Sequence, residues 1–172
     1  MRLVSIVLLV SLLSACADTH QLLRTGREAP KLEQSRTVYV SVPKDGRYGQ
    51  TGYSGSGQNT TQIVLMAFSQ YAKRVEAGHD YQTLDEALDA ARKLGATYLV
   101  VPTILEWEDR ATEWSGIPDK ASIKISVIDT ASGTSIDSVV IKGKSSLATF
   151  GGDRPQDLLP KPVGEYVKSL FE

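Results

Sequence analysis

Apolar residues recur along the chain with two periods, one typical of strands and one typical of helices. The β-branched run over residues 37–42 stops at Pro43 and predicts a buried strand. Apolar positions at helical spacing then predict a helix over about residues 60–71, with Asn59, Thr60 or Thr61 as its cap. Residues 74–76 are predicted to form a short strand or the last turn of that helix.

A second helix is marked at both of its ends. Thr83 and Glu86 have the spacing of a capping box, and Gly95 follows the last turn. The predicted core side of this helix comprises Leu84, Ala87, Leu88, Ala91 and Leu94. Residues 97–104 form the most apolar segment of the domain and predict its central strand, with Pro102 at a bulge or a sheet edge.

The last third of the chain reads as a hairpin followed by a helix. Residues 121–128 alternate between apolar and polar side chains, and residues 135–142 return antiparallel after a glycine-containing turn. A terminal helix extends from Pro155 or Lys161 to Phe171. The predicted fold is therefore α/β (α+β), a single small domain with a mixed sheet of about four to five strands and about three helices packed on it.

The amino terminus has the pattern of a signal peptide. Arg2 precedes an apolar run over residues 3–13, and polar sequence begins at residue 17. A permanent membrane span needs about 20 apolar residues, so this run is too short to be one.

The end of the apolar run, Leu13-Ser14-Ala15-Cys16, resembles the lipobox of bacterial lipoproteins. The resemblance implies cleavage before Cys16 and acylation of its thiol with palmitate-type chains, and Ala17 implies sorting to the periplasmic face of the outer membrane. The predicted organisation is then a signal peptide over residues 1–15, a lipidated flexible tether over residues 16–36 and a periplasmic domain over residues 37–172.

Composition narrows the range of partners. Cys16 is the only cysteine, which excludes an internal disulfide or a thiolate metal cluster. Because Arg2 leaves with the signal, 18 basic residues face 20 acidic residues and the net charge changes from -1 to -2. That balance predicts no affinity for nucleic acid or for an anionic surface.

The segment from Ala91 to Ile104, followed by a hairpin and a terminal helix, resembles the TolB amino-terminal domain and the curli secretion lipoprotein. Three further segments resemble a proteobacterial outer-membrane lipoprotein family of unknown function, domain of unknown function 4823. They are Asp45 to Gly49, Trp107 to Gly116 and Gly143 to Ser145. The resemblance covers nearly the whole mature chain and implies no activity. Related domains assemble into rings, so the resemblance is also compatible with a homo-oligomer.

Motifs that would indicate an enzyme are incomplete. The glycine-rich stretch after the first strand lacks the phosphate-binding patterns. Gly52 to Ser56 nearly spells a nucleophile elbow around Ser54, but Ser56 replaces the last glycine and only His20 and His79 are available as bases. We therefore predict a non-enzymatic protein with no cofactor and no metal site.

The tryptophan segment is the strongest candidate for contacts. Trp107 and Trp114 are the only tryptophans, and both fall in one polar connection. Their indoles either fold onto the core or anchor a partner. The predicted partner-binding residues are Trp107, Glu108, Asp109, Arg110, Glu113 and Trp114, together with Arg47 and Tyr48 of the glycine-rich loop.

Three functional hypotheses follow from these residues. The first is an envelope-assembly or partner-binding accessory lipoprotein with an envelope protein as partner, and we favour it. The second is a module that binds or cleaves peptidoglycan glycans, for which Glu106 and Glu108 on one strand face would form a carboxylate pair. The third is a purely structural accessory.

Overall fold

A six-stranded mixed sheet carries two helices on one face and one helix on the other. The computed structural model describes residues 18–24, 30–109, 118–145 and 154–172. The strands are β1 Thr19–Arg24, β2 Thr37–Val42, β3 Arg47–Tyr48, β4 Thr51–Gly52, β5 Arg74–Tyr81, β6 Tyr98–Glu108, β7 Lys120–Asp129 and β8 Ser135–Lys144. The helices are α1 Ser56–Ser69, α2 Leu84–Leu94 and α3 Pro160–Phe171, and a 3-10 turn spans Pro155–Leu158.

The strand order of the large sheet is β1-β8-β7-β6-β2-β5. β2 runs parallel to both β5 and β6, and the remaining neighbours are antiparallel. β3 and β4 form a separate small hairpin. The α/β class, the three helices and the β7–β8 hairpin confirm the predicted fold, and the sheet has one strand more than the predicted four to five.

The main core lies between the sheet and the pair α1 and α3. The alternate residues Ile123, Ile125 and Val127 of β7 are fully buried there, as are Val139 and Ile141 of β8. Phe68 of α1 meets Phe171 of α3 edge to face, at 6.1 Å between ring centroids. The opposite face has a smaller core, in which Ala87 and Ala91 of α2 pack near Tyr39, Leu99 and Ile128.

Helix α1 begins four residues before the predicted start because its cap comes from another segment. Gly55 has a φ of 84° at the N-cap, and the Asp45 carboxylate accepts from the Gly55 and Gly57 N–H groups at 3.1 and 2.7 Å. The prediction of Asn59, Thr60 or Thr61 as cap was wrong. Thr60 and Thr61 are buried inside the helix and donate to carbonyls one turn earlier.

Helix α2 has the predicted ends. Thr83 Oγ1 accepts from the Glu86 N–H at 3.4 Å, and the Glu86 carboxylate accepts from the Thr83 N–H at 2.8 Å. Gly95 closes the helix with a φ of 74°. Leu84 is the exception to the predicted core side, since it is half exposed at the first turn.

Pro102 lies where β6 has a neighbour on one side only. β2 pairs with β6 as far as Val100, whereas β7 continues alongside Pro102 through Ile125. The missing N–H of proline therefore removes no hydrogen bond to β2. Pro102 is therefore at an edge and not at a bulge, and the strand irregularity lies further along, between Ile104 and Glu106.

The prediction of a flexible tether over residues 16–36 is wrong for most of the residues that the structure describes there. Thr19–Arg24 forms the edge strand β1, which pairs with β8 from Lys144 to Val139. Further along, Leu32 is buried in the main core and its N–H donates to the Leu170 carbonyl at 2.8 Å. The sequence of β1 has no apolar alternation, so only its partner strand specifies it.

Candidate functional site

A cleft opens at the end of the sheet where the parallel strands β2 and β5 finish. Its volume is about 530 Å³. Residues 43–47 form one wall, residues 81–84 form another, and residues 101–105 of β6 form the floor. Ligands of open α/β sheets characteristically bind beyond the carboxyl ends of parallel strands, which is the position of this cleft.

Three large apolar side chains are exposed around this cleft. Tyr81 is 55% exposed, Leu84 is 50% exposed and Leu105 is 54% exposed. They come from the end of β5, the first turn of α2 and the irregular position of β6. Exposed apolar side chains that gather around one concave surface are typical of interaction sites.

The cleft also carries positive charge. Lys44 and Arg47 are exposed on its wall, and no carboxylate among the described residues forms an ion pair with either of them. Asp45 stands between them in sequence, but its oxygens accept from the N–H groups at the start of α1. The charged side chains that line the cleft are thus two cations and one carboxylate, which leaves a net positive charge.

The structure brings the two predicted contact regions together. Gly46 lies so close to the end of β6 that a Cβ atom there would be 2.6 Å from Trp107 Cβ. The Tyr53 hydroxyl donates to the Asp109 carbonyl at 3.2 Å. Arg47 and exposed Tyr48, which follow Gly46, consequently lie beside the Trp107–Asp109 segment.

Trp107 and Glu108 are both buried in the structure. Trp107 is 2% exposed and belongs to the main core, so its indole folds inward. Glu108 is 1% exposed, and its carboxylate lies 3.0 Å from Lys120 Nζ. Glu106 shares the face of Glu108, as the alternation predicted, and lies 4.0 Å from the same Lys120.

Asp109 borders a second, polar depression of about 400 Å³, together with Ser54, Asn59 and Arg154. No histidine lines it among the described residues, so neither of the two histidines considered as bases for Ser54 lies beside it. Nor do the described residues contain a group of three metal-binding side chains. Within the same residues, no helix has the length and hydropathy needed to cross a bilayer.

Several predicted site residues lie outside the described residues. They are Cys16, Arg110, Glu113 and Trp114. Sequence reasoning in turn missed Tyr81, Leu84 and Leu105. Leu84 is at helical spacing with the buried alanines of α2, and only the structure shows that it is half exposed.

Comparison with solved structures gives relatives of similar fold. The PelC dodecamer from Paraburkholderia phytofirmans superposes with a TM-score of 0.69 at 15% identity, covering 88% of this chain and 97% of that chain. Protein XCC0632 from Xanthomonas campestris, of family DUF330, has a TM-score of 0.51 at 11% identity, covering 83% and 86%. At these identities the likeness concerns the fold alone.

Sequence comparison identifies the family. None of the curated proteins compared with the chain matches it. Residues 30–170 match the family described as a domain of unknown function, DUF4823. This is the family that the tryptophan segment and the two glycine-containing segments resemble. The match spans β2 to α3, and the chain therefore belongs to the DUF4823 family.

Proposed function

We propose that this chain is a lipid-anchored accessory protein of the bacterial envelope, which binds a protein partner through the cleft beyond β2 and β5. The anchor is the acylated Cys16, and the domain faces the periplasm from the outer membrane. The lipobox-like sequence supports the anchor. The proposal requires no catalysis and no cofactor.

One observation carries the partner-binding part of the proposal. Tyr81, Leu84 and Leu105 leave about half of their surfaces in water around a single concave surface. Beside them are Lys44 and Arg47, which form no ion pair with a described carboxylate. Burying them under a partner would remove apolar area from water at about 25 cal/mol per Å². The cations favour a partner surface with acidic residues at its rim.

Photo-crosslinking in intact cells tests this proposal. A crosslinking residue placed at Leu84 or Leu105 should form a reproducible protein adduct. The same residue at Met66 is the control, because Met66 is 65% exposed on α1 and does not line the cleft. Absence of adducts at both cleft positions, or equal adducts at Met66, would contradict partner binding through the cleft.

The alternative is a module that binds or cleaves glycans through the tryptophan segment. Burial of Trp107 removes one of its two aromatic platforms, and burial of Glu108 beside Lys120 separates that carboxylate from any substrate. The remaining aromatic candidate for contacting a glycan in this alternative is Trp114. A crosslinking residue at Trp114 that captured muropeptides would favour it over the accessory role, as would a hydrolase activity abolished by Glu106→Gln.

Self-association is a compatible second feature. The similar fold of the PelC dodecamer supports it, and β1 and β5 each have one side without a neighbouring strand among the described residues. Unpaired strand edges are a common route to pairing between copies. We expect the sedimentation coefficient of the protein in detergent to rise with concentration, and a constant monomer value would contradict assembly.

A further inference from the structure

The outer face of the sheet is only partly covered by helix α2. Beyond α2, the alternate residues of β7 and β8 that point away from the main core include four lysines. These are Lys120 and Lys124 in β7, and Lys142 and Lys144 in β8, and we call this surface the lysine face. All except Lys120 are exposed.

The lysines lie close together because the strand register aligns them. Lys144 is directly opposite Lys120. Lys142 lies two residues before Lys144 in β8 and therefore points to the same face. Like charges directly opposite each other in a sheet oppose folding. Glu108 and Glu106 offset the charge of Lys120, at 3.0 and 4.0 Å.

Lys124, Lys142 and Lys144 have no such compensation. In residues 18–24, 30–109, 118–145 and 154–172, no carboxylate comes within ion-pair distance of any of the three. By strand alternation, the described carboxylates that share this face with the four lysines are Glu106 and Glu108, whereas Asp18 and Asp119 adjoin its edge. The face consequently has a local excess of positive charge in a chain whose net charge is -1.

The surface between the lysines has the form of a headgroup site. A shallow depression of about 210 Å³ is bordered by Lys120, Lys142 and Lys144, and also by Glu106, whose carboxylate lies 4.0 Å from Lys120 Nζ. Thr19 and Gln21 on β1 add hydrogen-bond donors. Next to it, Leu23 is 48% exposed opposite Val140. A cationic surface with an adjoining apolar side chain suits an anionic lipid boundary.

The start of β1 locates this face relative to the anchor. Thr19 pairs directly with Lys144 and is three residues after Cys16 in the sequence. Three extended residues span at most about 11 Å, which is close to one Debye length at physiological salt. An acylated Cys16 would thus hold the Lys144 end of the lysine face next to the headgroups.

We propose that the lysine face binds anionic phospholipid headgroups of the membrane that holds the lipid anchor. This inference rests on the proposed acylation of Cys16. It departs from the expectation, based on net charge, that the protein has no affinity for an anionic surface. It also replaces the predicted long tether by a short one, which orients the domain.

The test uses the acylated protein reconstituted into vesicles. Acylation leaves no free thiol, because Cys16 is the only cysteine, so Ser126→Cys on the lysine face can carry a single fluorophore. A lipid with a nitroxide headgroup serves as quencher. We expect quenching in vesicles of phosphatidylcholine and phosphatidylglycerol, little quenching in phosphatidylcholine alone, and little for a fluorophore at Met66→Cys on α1.

The decisive variant combines Lys124→Gln, Lys142→Gln and Lys144→Gln. Each lysine near an anionic membrane favours binding by about fivefold, so the triple variant should lower the ratio of membrane-bound to free domains by roughly 100-fold. The matched control combines Lys73→Gln, Lys161→Gln and Lys168→Gln, which change net charge equally at exposed positions elsewhere and should keep the quenching. Arginine at the three lysine-face positions should also keep it, and the unfolding curve of each variant reports its folding.

The mass of the purified protein separates this inference from the proposed function. An unmodified Cys16 would refute the anchor. If Cys16 is acylated, equal quenching in both lipid mixtures would overturn headgroup binding and leave the anchor in place. Equal loss of quenching in the lysine-face variant and in the control variant would have the same meaning. Capture of a protein by a crosslinking residue at Ser126 in cells would assign the lysine face to a protein partner, and this result would also overturn headgroup binding.

Discussion

Asp137 is the residue on which three elements of the fold meet. It is 5% exposed in β8, and its carboxylate accepts from Arg24 Nε of β1 at 2.9 Å and from the Tyr166 hydroxyl of α3 at 3.0 Å. A buried carboxylate needs such donors, because an unpaired charge in the core is strongly destabilising. Burial raises the pKa of Tyr166, and the neighbouring Asp137 charge raises it further.

The raised pKa of Tyr166 gives a pH dependence with a definite sign. The folded protein favours the protonated hydroxyl, so this stabilisation is complete below the ordinary pKa of 10.0 and is lost as pH rises above it. We expect Tyr166→Phe to lower the free energy of unfolding by about 1.5 kcal/mol at neutral pH, through loss of the bond to a charged acceptor. Urea titrations at neutral pH and above pH 10 measure both effects. If the variant lost stability as steeply as the parent above pH 10, Tyr166 would not be responsible.

Gly57 permits the contact between the Pro43–Arg47 wall and helix α1. A Cβ atom at residue 57 would lie 2.4 Å from the Pro43 carbonyl oxygen. Alanine favours a helix over glycine by about 1 kcal/mol, but we expect the clash to prevail and Gly57→Ala to destabilise by about 1 to 3 kcal/mol. Gly52→Ala is the control, because nothing lies within 4 Å of its Cβ position. Equal unfolding midpoints for the two variants would refute the close contact.

At the scale of elements, β1 is held to the domain mainly by its neighbours. Its backbone pairs with β8, Arg24 reaches Asp137, and the Arg24 guanidinium lies 5.5 Å from the Tyr166 ring centroid. His20 approaches Glu165 of α3 at 3.1 Å. Each of these contacts joins residues more than a hundred positions apart in the chain.

Loss of Arg24 should therefore loosen β1. Arg24→Ala leaves Asp137 buried without its cation, and we expect a loss of about 3 kcal/mol in the free energy of unfolding with faster amide exchange in β1. Arg36→Ala is the matched control, because Arg36 pairs with Glu33 while both side chains are at least half exposed. It should change stability little. Similar losses in the two variants would show that burial of the carboxylate is unimportant.

The sequence predicted those elements whose signals are local. The capping box at Thr83 and the alternation in β7 are written in consecutive residues, and both are present. β1 was missed because only its pairing with β8 makes it a strand, and the start of α1 was missed because its cap is the distant Asp45. Leu105 was missed because its exposure depends on the strand irregularity beside it.

At the scale of the whole molecule, the arrangement of charge matters more than its sum. Net charge predicted no anionic partner, yet the register of β7 and β8 gathers four lysines on one face. The candidate site likewise depends on the fold. Arg47 and Tyr48 come from a different segment of the sequence than Trp107, and only the fold makes them neighbours. The hairpin turn and the alternation of β7 and β8 set this register, so the grouping of the lysines follows from the strand pairing and cannot be read from the net charge.

Anchoring and folding should be separable in the whole protein. The described core contains none of the first 17 residues, so Cys16→Ser should leave the unfolding curve of the domain unchanged. The same variant should leave the membrane fraction and fail to gain the mass of acyl chains. Continued fractionation with membranes at an unaltered mass would refute the lipid anchor.

The pairing of β1 with β8 also sets an order of events during biogenesis. β1 is synthesised near the beginning of the chain, but its partner strand emerges only after β7 has been completed. Until then Thr19–Arg24 have no β8 strand to pair with. Closure of the sheet therefore waits for nearly the whole chain, because the strand that is made first is paired last.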